Sequence, residues 1–229
     1  MADLLVVVRS GTTDYDLQGR IRGNLDIPLT PAGRAAAEAA AHDLVSAPLV
    51  ALYTSPATCA AETAAVIGDA LDIVPRAVAG LADVDLGLWQ GMLVKEIRRR
   101  QPRLARHWEE DPWTVVPPDG EPLAAVRFRV AAALERILGR HPSGRVGVVV
   151  PQPLDRIIRH CVTDEPVGDL WNVLSAGPPT VELPLATACH APSHASGAGS
   201  GIASLGLGGM MMVAQALAPF RGRFGLVEP

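Results

Sequence analysis

The chain has 229 residues, 48% of them hydrophobic and 19% charged, a length and composition that suit a single α/β domain with a buried core. A formal net charge of −4 at pH 7 argues against a nucleic-acid-binding protein, which needs a basic surface. Three widely spaced cysteines argue against a disulfide framework and favour a reducing, cytoplasmic compartment. The N-terminus lacks the basic segment and cleavage site of a signal peptide, so its apolar run is predicted to be a strand.

Predicted strands and helices alternate along the chain. Residues 4–8 are apolar without alternation, which is typical of a parallel strand buried on both faces. Thr30 is a suitable N-cap and Pro31 a suitable first residue for a helix that runs to about Leu44. The alternation predicts an α/β fold with three α/β/α layers and a mostly parallel central sheet. The other predicted strands are residues 50–53, 145–150 and 180–183, and the other predicted helices begin at Ser55 or cover residues 94–101, 122–138 and 154–161.

Two stretches are expected to depart from this pattern. Residues 108–120 contain Trp108, Trp113 and three prolines, and are predicted to form an irregular segment of the kind that often makes a lid. The chain after the last strand is rich in Gly, Ala and Met. We therefore predict one main domain over residues 1–188, with residues 189–229 as a C-terminal extension of the same domain.

The C-terminal extension supports three narrower hypotheses. Its methionine-rich segment, residues 210–213, is expected to pack on the domain or on a second subunit, which leaves a homodimer open. Residues 202–218 are apolar, but their glycines and glutamine argue against a membrane span. Cys189, His190 and His194 are potential zinc ligands without a fourth partner, so no metal and no other cofactor is expected.

Six separated motifs follow one another between residues 4 and 185. They are Arg9-Ser10-Gly11, residues 19–33, residues 53–56 with 62–64, residues 81–91, residues 117–121 and residues 148–153. In this order they resemble the motifs of the histidine phosphatase (phosphoglycerate mutase-like) superfamily. The resemblance implies a central sheet of the phosphoglycerate mutase-like type.

The resemblance also implies a set of site residues. Phosphatases of this family use a histidine nucleophile, two arginines that hold the phosphoryl oxygens, a second histidine, and a carboxylic acid that protonates the leaving group. Both histidines are replaced here, so the chain is interpreted as a divergent member that lacks them. The matching positions are Arg9 for the first arginine, Ser10 for the nucleophile, Cys59 for the second arginine, Gln152 for the second histidine, Asp83 for the acid and Asp16 for a phosphate-contacting asparagine.

These replacements suggest a changed reaction. Losing an arginine at Cys59 and gaining a charge at Asp16 is expected to oppose phosphate binding. The sequence therefore predicts a repurposed enzyme without phosphoryl transfer, which isomerises, cyclises or dehydrates a small organic metabolite by acid/base chemistry. In that reaction Asp83 or Asp16 would move a proton. The groups expected to orient or stabilise the ligand are Gln152, Ser10 and Arg9, and further ligand contacts are expected from Arg22, Cys59, Trp89, Trp108 and Trp113.

Two other functions stay open at this point. One is a pseudophosphatase that binds a ligand or a protein partner without catalysis, and the other is a weak phosphatase with a rearranged site. Single residues also have structural alternatives. Asp16 and Asp83 could each form an ion pair with Arg9 or Arg22, Ser10 could simply make room, and the tryptophans could belong to the core.

Overall fold

The computed structural model describes residues 2–171 and 180–185. Within these ranges five strands form one sheet in the order β3-β2-β4-β1-β5. Strands β1 and β4 are parallel, with Leu5 opposite Val146, and β5 runs antiparallel to β1 at one edge. Strands β2 and β3 continue the parallel part. The strands are β1 (Leu4–Arg9), β2 (Ala51–Thr54), β3 (Arg76–Ala77), β4 (Arg145–Val150) and β5 (Thr180–Pro184).

Seven α-helices accompany the sheet in the described part of the chain, and the expected mixed α/β fold is confirmed. The second of them begins as predicted, because the Thr30 side chain accepts a hydrogen bond from the Gly33 N–H and Pro31 occupies the first turn. The helices are α1 (Asp14–Gln18), α2 (Pro31–Val45), α3 (Thr58–Leu71), α4 (Val94–Arg100), α5 (Pro102–Glu110), α6 (Leu123–Leu138) and α7 (Leu154–Thr163).

Two predicted elements need correction, and one element was missed. Trp108 lies in helix α5 and not in an irregular segment, which begins only after Glu110 and includes a 3₁₀ turn at Pro112–Thr114. Helix α3 begins at Thr58 and not at Ser55, whose hydroxyl instead accepts a hydrogen bond from the Ala57 N–H before the helix starts. The five-residue helix α1 was not predicted, because it is too short for a periodic pattern.

The carboxyl ends of β1, β2 and β4 bring three loops together. The Ser10 N–H donates to the Val150 carbonyl and the Ser55 N–H to the Val149 carbonyl, both at 2.8 Å. Gly11 is required in the first loop, because a Cβ there would lie 2.2 Å from the Gly33 carbonyl oxygen. Loops at this edge of a parallel sheet are the usual place for a binding site.

One compact unit runs from Met1 to Leu185. The hypotheses on residues 189–229, including the methionine-rich segment and the zinc ligands, lie outside the described residues. None of the helices that the structure describes has both the length and the apolar character needed to cross a bilayer.

Candidate active site

The guanidinium of Arg22 joins the loops at the centre of the site. Its side chain is 5% exposed. Nη1 donates to both carboxylate oxygens of Asp16, at 3.3 and 3.2 Å. Nη2 donates to Asp83 Oδ2 at 3.4 Å and to the Gln152 carbonyl at 2.8 Å. A buried cation of this kind needs paired anions, and the two carboxylates supply them.

Asp16 is also part of the start of helix α1. Its Oδ2 accepts hydrogen bonds from the N–H and the hydroxyl of Thr13, at 2.7 and 2.8 Å, in a capping box. Together with Arg22, these donors give the carboxylate several hydrogen-bond partners. The contacts favour a structural role for Asp16, which is the alternative that the sequence left open.

Asp83 has a different environment from Asp16. Its side chain is fully buried, and its hydrogen bonds come from the Val84 N–H at 2.8 Å and from Arg22. Burial raises the pKa of Asp83 to about 7, although Arg22 lowers it. A carboxyl group with this pKa exchanges a proton readily at neutral pH, which is the property of a general acid or base.

The loop that carries Asp83 is held by Arg129 of helix α6. The Arg129 guanidinium donates to the carbonyls of Gly80, Ala82 and Asp83, at 3.1, 2.6 and 3.1 Å. It also pairs with the Glu121 carboxylate at 2.7 Å. The sequence analysis missed Arg129, since an arginine within an amphipathic helix carries no motif that distinguishes it from a solvated surface residue.

Ser10 and Cys59 lie next to each other in the buried part of the site. Cys59 is completely buried, and its thiol shares a hydrogen bond with the Ser10 hydroxyl. Burial raises the pKa of the Cys59 thiol, whereas the nearby Arg22 guanidinium lowers it. The thiol is therefore neither a thiolate nucleophile nor a base for Ser10. Arg22 therefore places a positive charge near Cys59, the residue that stands where the family resemblance implies an arginine.

Arg9 is half-buried at the end of β1 and faces Asp155 on helix α7. Burial raises the pKa of Asp155, and the Arg9 guanidinium lowers it. Gln152 is buried at the end of β4 and reaches Arg22 through its backbone carbonyl. The polar site residues expected from the sequence therefore come from several elements. Arg9, Ser10 and Gln152 lie at the ends of β1 and β4, and the others lie on α1 (Asp16), α3 (Cys59) and two loops (Arg22 and Asp83).

The tryptophans divide between the site and the core. Trp108 and Trp171 stack with their ring centroids 6.0 Å apart and line a cavity of about 30 Å³ beside Arg22. Trp89 packs edge-to-face against both rings, at 5.3 Å, and is not among the cavity's lining residues. Trp113 lies apart from them, against His160 and Arg127. Trp171 was not predicted, because a single tryptophan in an irregular segment gives no sequence signal.

Comparisons with known proteins identify the relatives of this fold. The model of the histidine phosphatase superfamily (branch 1) matches residues 5–178. The chain is 34% identical over 145 residues to phosphoserine phosphatase 1 of Hydrogenobacter thermophilus, a match that covers 63% of this chain and 69% of that protein. It is 32% identical over 138 residues to glucosyl-3-phosphoglycerate phosphatase of Mycobacterium tuberculosis, covering 60% of this chain and 61% of that protein.

A solved structure supports the same relationship. The structure of mycobacterial glucosyl-3-phosphoglycerate phosphatase in complex with VO3 superposes with a TM-score of 0.68 and 28% sequence identity. The superposition covers 74% of this chain and 86% of that chain.

These relatives overturn the predicted reaction. They are named as phosphatases, so the expectation of an isomerase, cyclase or dehydratase without phosphoryl transfer is wrong. That expectation assumed that Cys59, in place of an arginine, leaves the site without a positive charge there. The structure places the Arg22 guanidinium near the Cys59 thiol. A positive charge is therefore present near Cys59, although it belongs to a residue from another part of the chain.

Proposed function

This chain belongs to the histidine phosphatase superfamily (branch 1), and we propose that it hydrolyses the phosphate monoester of a small metabolite. We also propose that the chain departs from the family, because Ser10 and Gln152 stand where the resemblance implies the two catalytic histidines. The observation that carries the proposal is the buried Asp83 carboxyl, whose pKa of about 7 suits a leaving-group acid, beside the Arg22 guanidinium.

Arg9 and Arg22 are the groups that bind the phosphoryl oxygens. When Asp83 carries its proton, the Arg22 guanidinium faces the carboxylate of Asp16 alone, so the site accepts an anion more readily. A bound phosphate dianion in turn favours the protonated form of Asp83. Phosphate binding and protonation of Asp83 therefore favour each other.

Water is the nucleophile in this proposal. Ser10 has the neutral Cys59 thiol as its neighbour instead of a base, so its hydroxyl is not activated. The transition state of phosphoryl transfer is loose in most analyses, and positioning and electrostatic stabilisation account for most of its catalysis. A water oxygen bonds to phosphorus, the bond from phosphorus to the ester oxygen breaks, and that oxygen takes the proton of Asp83. The protons of the water stay on the new phosphate, and one of them then returns to Asp83. The products are an alcohol and inorganic phosphate.

The rate of hydrolysis by this protein is expected to be low compared with that of other family members. Removal of a catalytic nucleophile in another hydrolase costs on the order of 10⁶ in kcat, so direct attack by water is expected to be slow. O-phosphoserine and glucosyl-3-phosphoglycerate are the first esters to assay, since the similar proteins are named for them.

The test is release of inorganic phosphate from these esters in ¹⁸O-labelled water. We expect slow release with one ¹⁸O atom in the phosphate and no phosphate attached to the denatured protein. Arg9→Ala should abolish the release, and Arg34→Ala, at an exposed position on α2, should leave it unchanged. Release that survives Arg9→Ala would show a contaminating phosphatase and contradict the proposal.

A further inference from the structure

Helices α4 and α5 carry a charge opposite to that of the rest of the chain. Residues 94–107 contain six of the 20 lysines and arginines and one of the 24 acidic residues, which gives a net charge of +5. Since the whole chain carries −4, its other residues together carry −9. The proposed reaction at Arg22 and Asp83 uses none of these six cations.

Five of the six cations form a basic surface that faces solvent. They are Lys95, Arg99 and Arg100 on α4 and Arg103 and Arg106 on α5, and all five side chains are exposed. The two helices contact each other, and only Gln101 lies between them in sequence. Within residues 2–171 and 180–185, no ion pair joins any of the five to an acidic group. These charges are therefore available to a partner.

The sixth cation, Arg98, braces the two helices. Its Nε donates to Glu109 Oε1 at 2.7 Å and thereby joins α4 to α5. Its Nη2 lies 3.7 Å from Asp169 Oδ2, beyond the end of α7. Arg98 therefore helps to fix the relative position of the helices that carry the basic surface.

The basic surface costs stability in the free protein. Lys95 and Arg99 are four residues apart on α4, and Arg103 and Arg106 are three residues apart on α5. Side chains at these spacings are neighbours on a helix, and like charges there destabilise it. A partner of opposite charge would remove this repulsion.

The residue types of the basic surface narrow the kind of partner. The large apolar side chains Ile97 and Trp108 of these helices are buried. Helices α4 and α5 therefore expose no Phe, Tyr or Trp ring for stacking on a nucleobase and no long apolar side chain for insertion into a bilayer. Four of the five cations are arginines, whose planar guanidinium binds a carboxylate through two parallel hydrogen bonds.

The extent of the basic surface also distinguishes between anionic partners. At 1.5 Å per residue, the seven residues of α4 and the nine of α5 span about 10 and 14 Å. A nucleic acid or a membrane extends well beyond this length and would meet the acidic remainder of the chain. A small anion needs a cleft that encloses it, whereas these side chains lie on exposed helix surfaces. A short acidic segment of another protein matches both the charge and the length.

We propose that the basic surface binds a short segment of a partner protein that is rich in Asp and Glu. The guanidinium groups pair with the carboxylates of that segment, and the contact relieves the repulsion within α4 and α5. The proposal goes beyond the proposed hydrolysis and does not depend on it.

The test measures the binding of fluorescein-labelled octaglutamate to the full-length protein by fluorescence anisotropy at low ionic strength. Labelled octaglutamine is the uncharged probe of the same length. Several exposed ion pairs act together on octaglutamate, so it should bind at least about tenfold more tightly than octaglutamine. The affinity for octaglutamate should fall when salt is added, because salt screens exposed charges.

Two double variants with the same loss of charge locate the binding surface. Arg103→Gln with Arg106→Gln removes two charges from the basic surface and should weaken octaglutamate binding about tenfold. Arg34→Gln with Arg136→Gln removes two exposed charges on α2 and α6 and should weaken it by less than about twofold. The thermal unfolding temperature of the first variant should not fall, since that variant loses a pair of like charges.

Each outcome decides for or against an acidic protein partner. Equal binding of the two peptides, or equal losses in the two double variants, would overturn the proposal. A DNA duplex or a phosphatidylglycerol vesicle that binds the basic surface more tightly than octaglutamate would also overturn it, as would self-association of the protein that the Arg103→Gln, Arg106→Gln variant abolishes. Preferred binding of octaglutamate that depends on Arg103 and Arg106 supports the proposal, even if no phosphate ester is hydrolysed.

Discussion

Arg22 Nη2 lies 3.4 Å from Asp83 Oδ2, and both side chains are buried. In the proposed reaction, the contact joins the cation that binds the phosphoryl group to the acid that protonates the leaving oxygen. Because burial raises the pKa of Asp83 and Arg22 lowers it, the two residues set each other's charge state.

The first prediction concerns pH. The active form of Asp83 is protonated, and its pKa is about 7 in the free protein. The value of kcat/KM should therefore be highest below pH 7 and fall about tenfold for each pH unit above it. The measurement is a pH profile from 5.5 to 9 with O-phosphoserine. The fall should be absent in Asp83→Asn, and a fall that is identical in this variant would show that another group causes it.

The second prediction concerns the buried cation. Arg22→Gln removes the charged partner that the carboxylates of Asp16 and Asp83 share. Breaking a buried ion pair in this way should lower the free energy of unfolding by about 3–5 kcal/mol and remove phosphate binding. Denaturant unfolding and phosphate titration measure the two effects. Arg34→Gln, on the exposed face of α2, is the control that should change neither.

The third prediction concerns the residue at the nucleophile position. If water attacks phosphorus, Ser10→Ala should lower kcat by no more than about tenfold relative to the unchanged protein. The substitution removes only a hydroxyl that is hydrogen-bonded to the Cys59 thiol. Steady-state phosphate release measures this effect. A loss on the order of 10⁶, as for a true nucleophile, would assign the attack to Ser10 instead.

The fourth prediction concerns Arg129, a positioning residue that contacts the Asp83 loop. Arg129→Met should lower kcat about tenfold and raise the pKa that governs kcat/KM, since the Arg129 charge lowers the pKa of Asp83. Arg129→Lys keeps the charge but loses the planar fork that binds several carbonyls. It should therefore lower kcat while leaving the pKa near 7. Equal pH profiles in all three proteins would reduce Arg129 to a structural role.

Local patterns were enough to predict the main elements of the fold. Apolar runs located β1 and β4, and Thr30 with Pro31 located the start of α2, because burial and capping act on neighbouring residues. Helix α1 was missed because five residues do not complete a periodic pattern. Helix α5 was also missed, because its apolar face is confined to a few residues between charged ones.

The site was predictable only where a motif marked it. Arg9, Asp83 and Gln152 follow strands or lie in segments that resemble family motifs. The partnership of Arg22 with Asp16 and Asp83 depends on loops that are 6 and 61 residues apart in sequence, so only the fold reveals it. The same holds for the closeness of Arg22 to Cys59, which lies on helix α3.

The most direct test of the account is the leaving-group dependence of Asp83→Asn. O-phosphoserine releases an alkoxide that needs a proton, whereas p-nitrophenyl phosphate releases a stable phenolate that does not. The variant should lose about 10²–10⁴ in kcat on O-phosphoserine and about tenfold or less on p-nitrophenyl phosphate. Asp69→Asn, at an exposed position on α3, should match the unchanged protein on both esters. Equal losses on the two esters, or no loss on either, would contradict the role of Asp83 as the leaving-group acid.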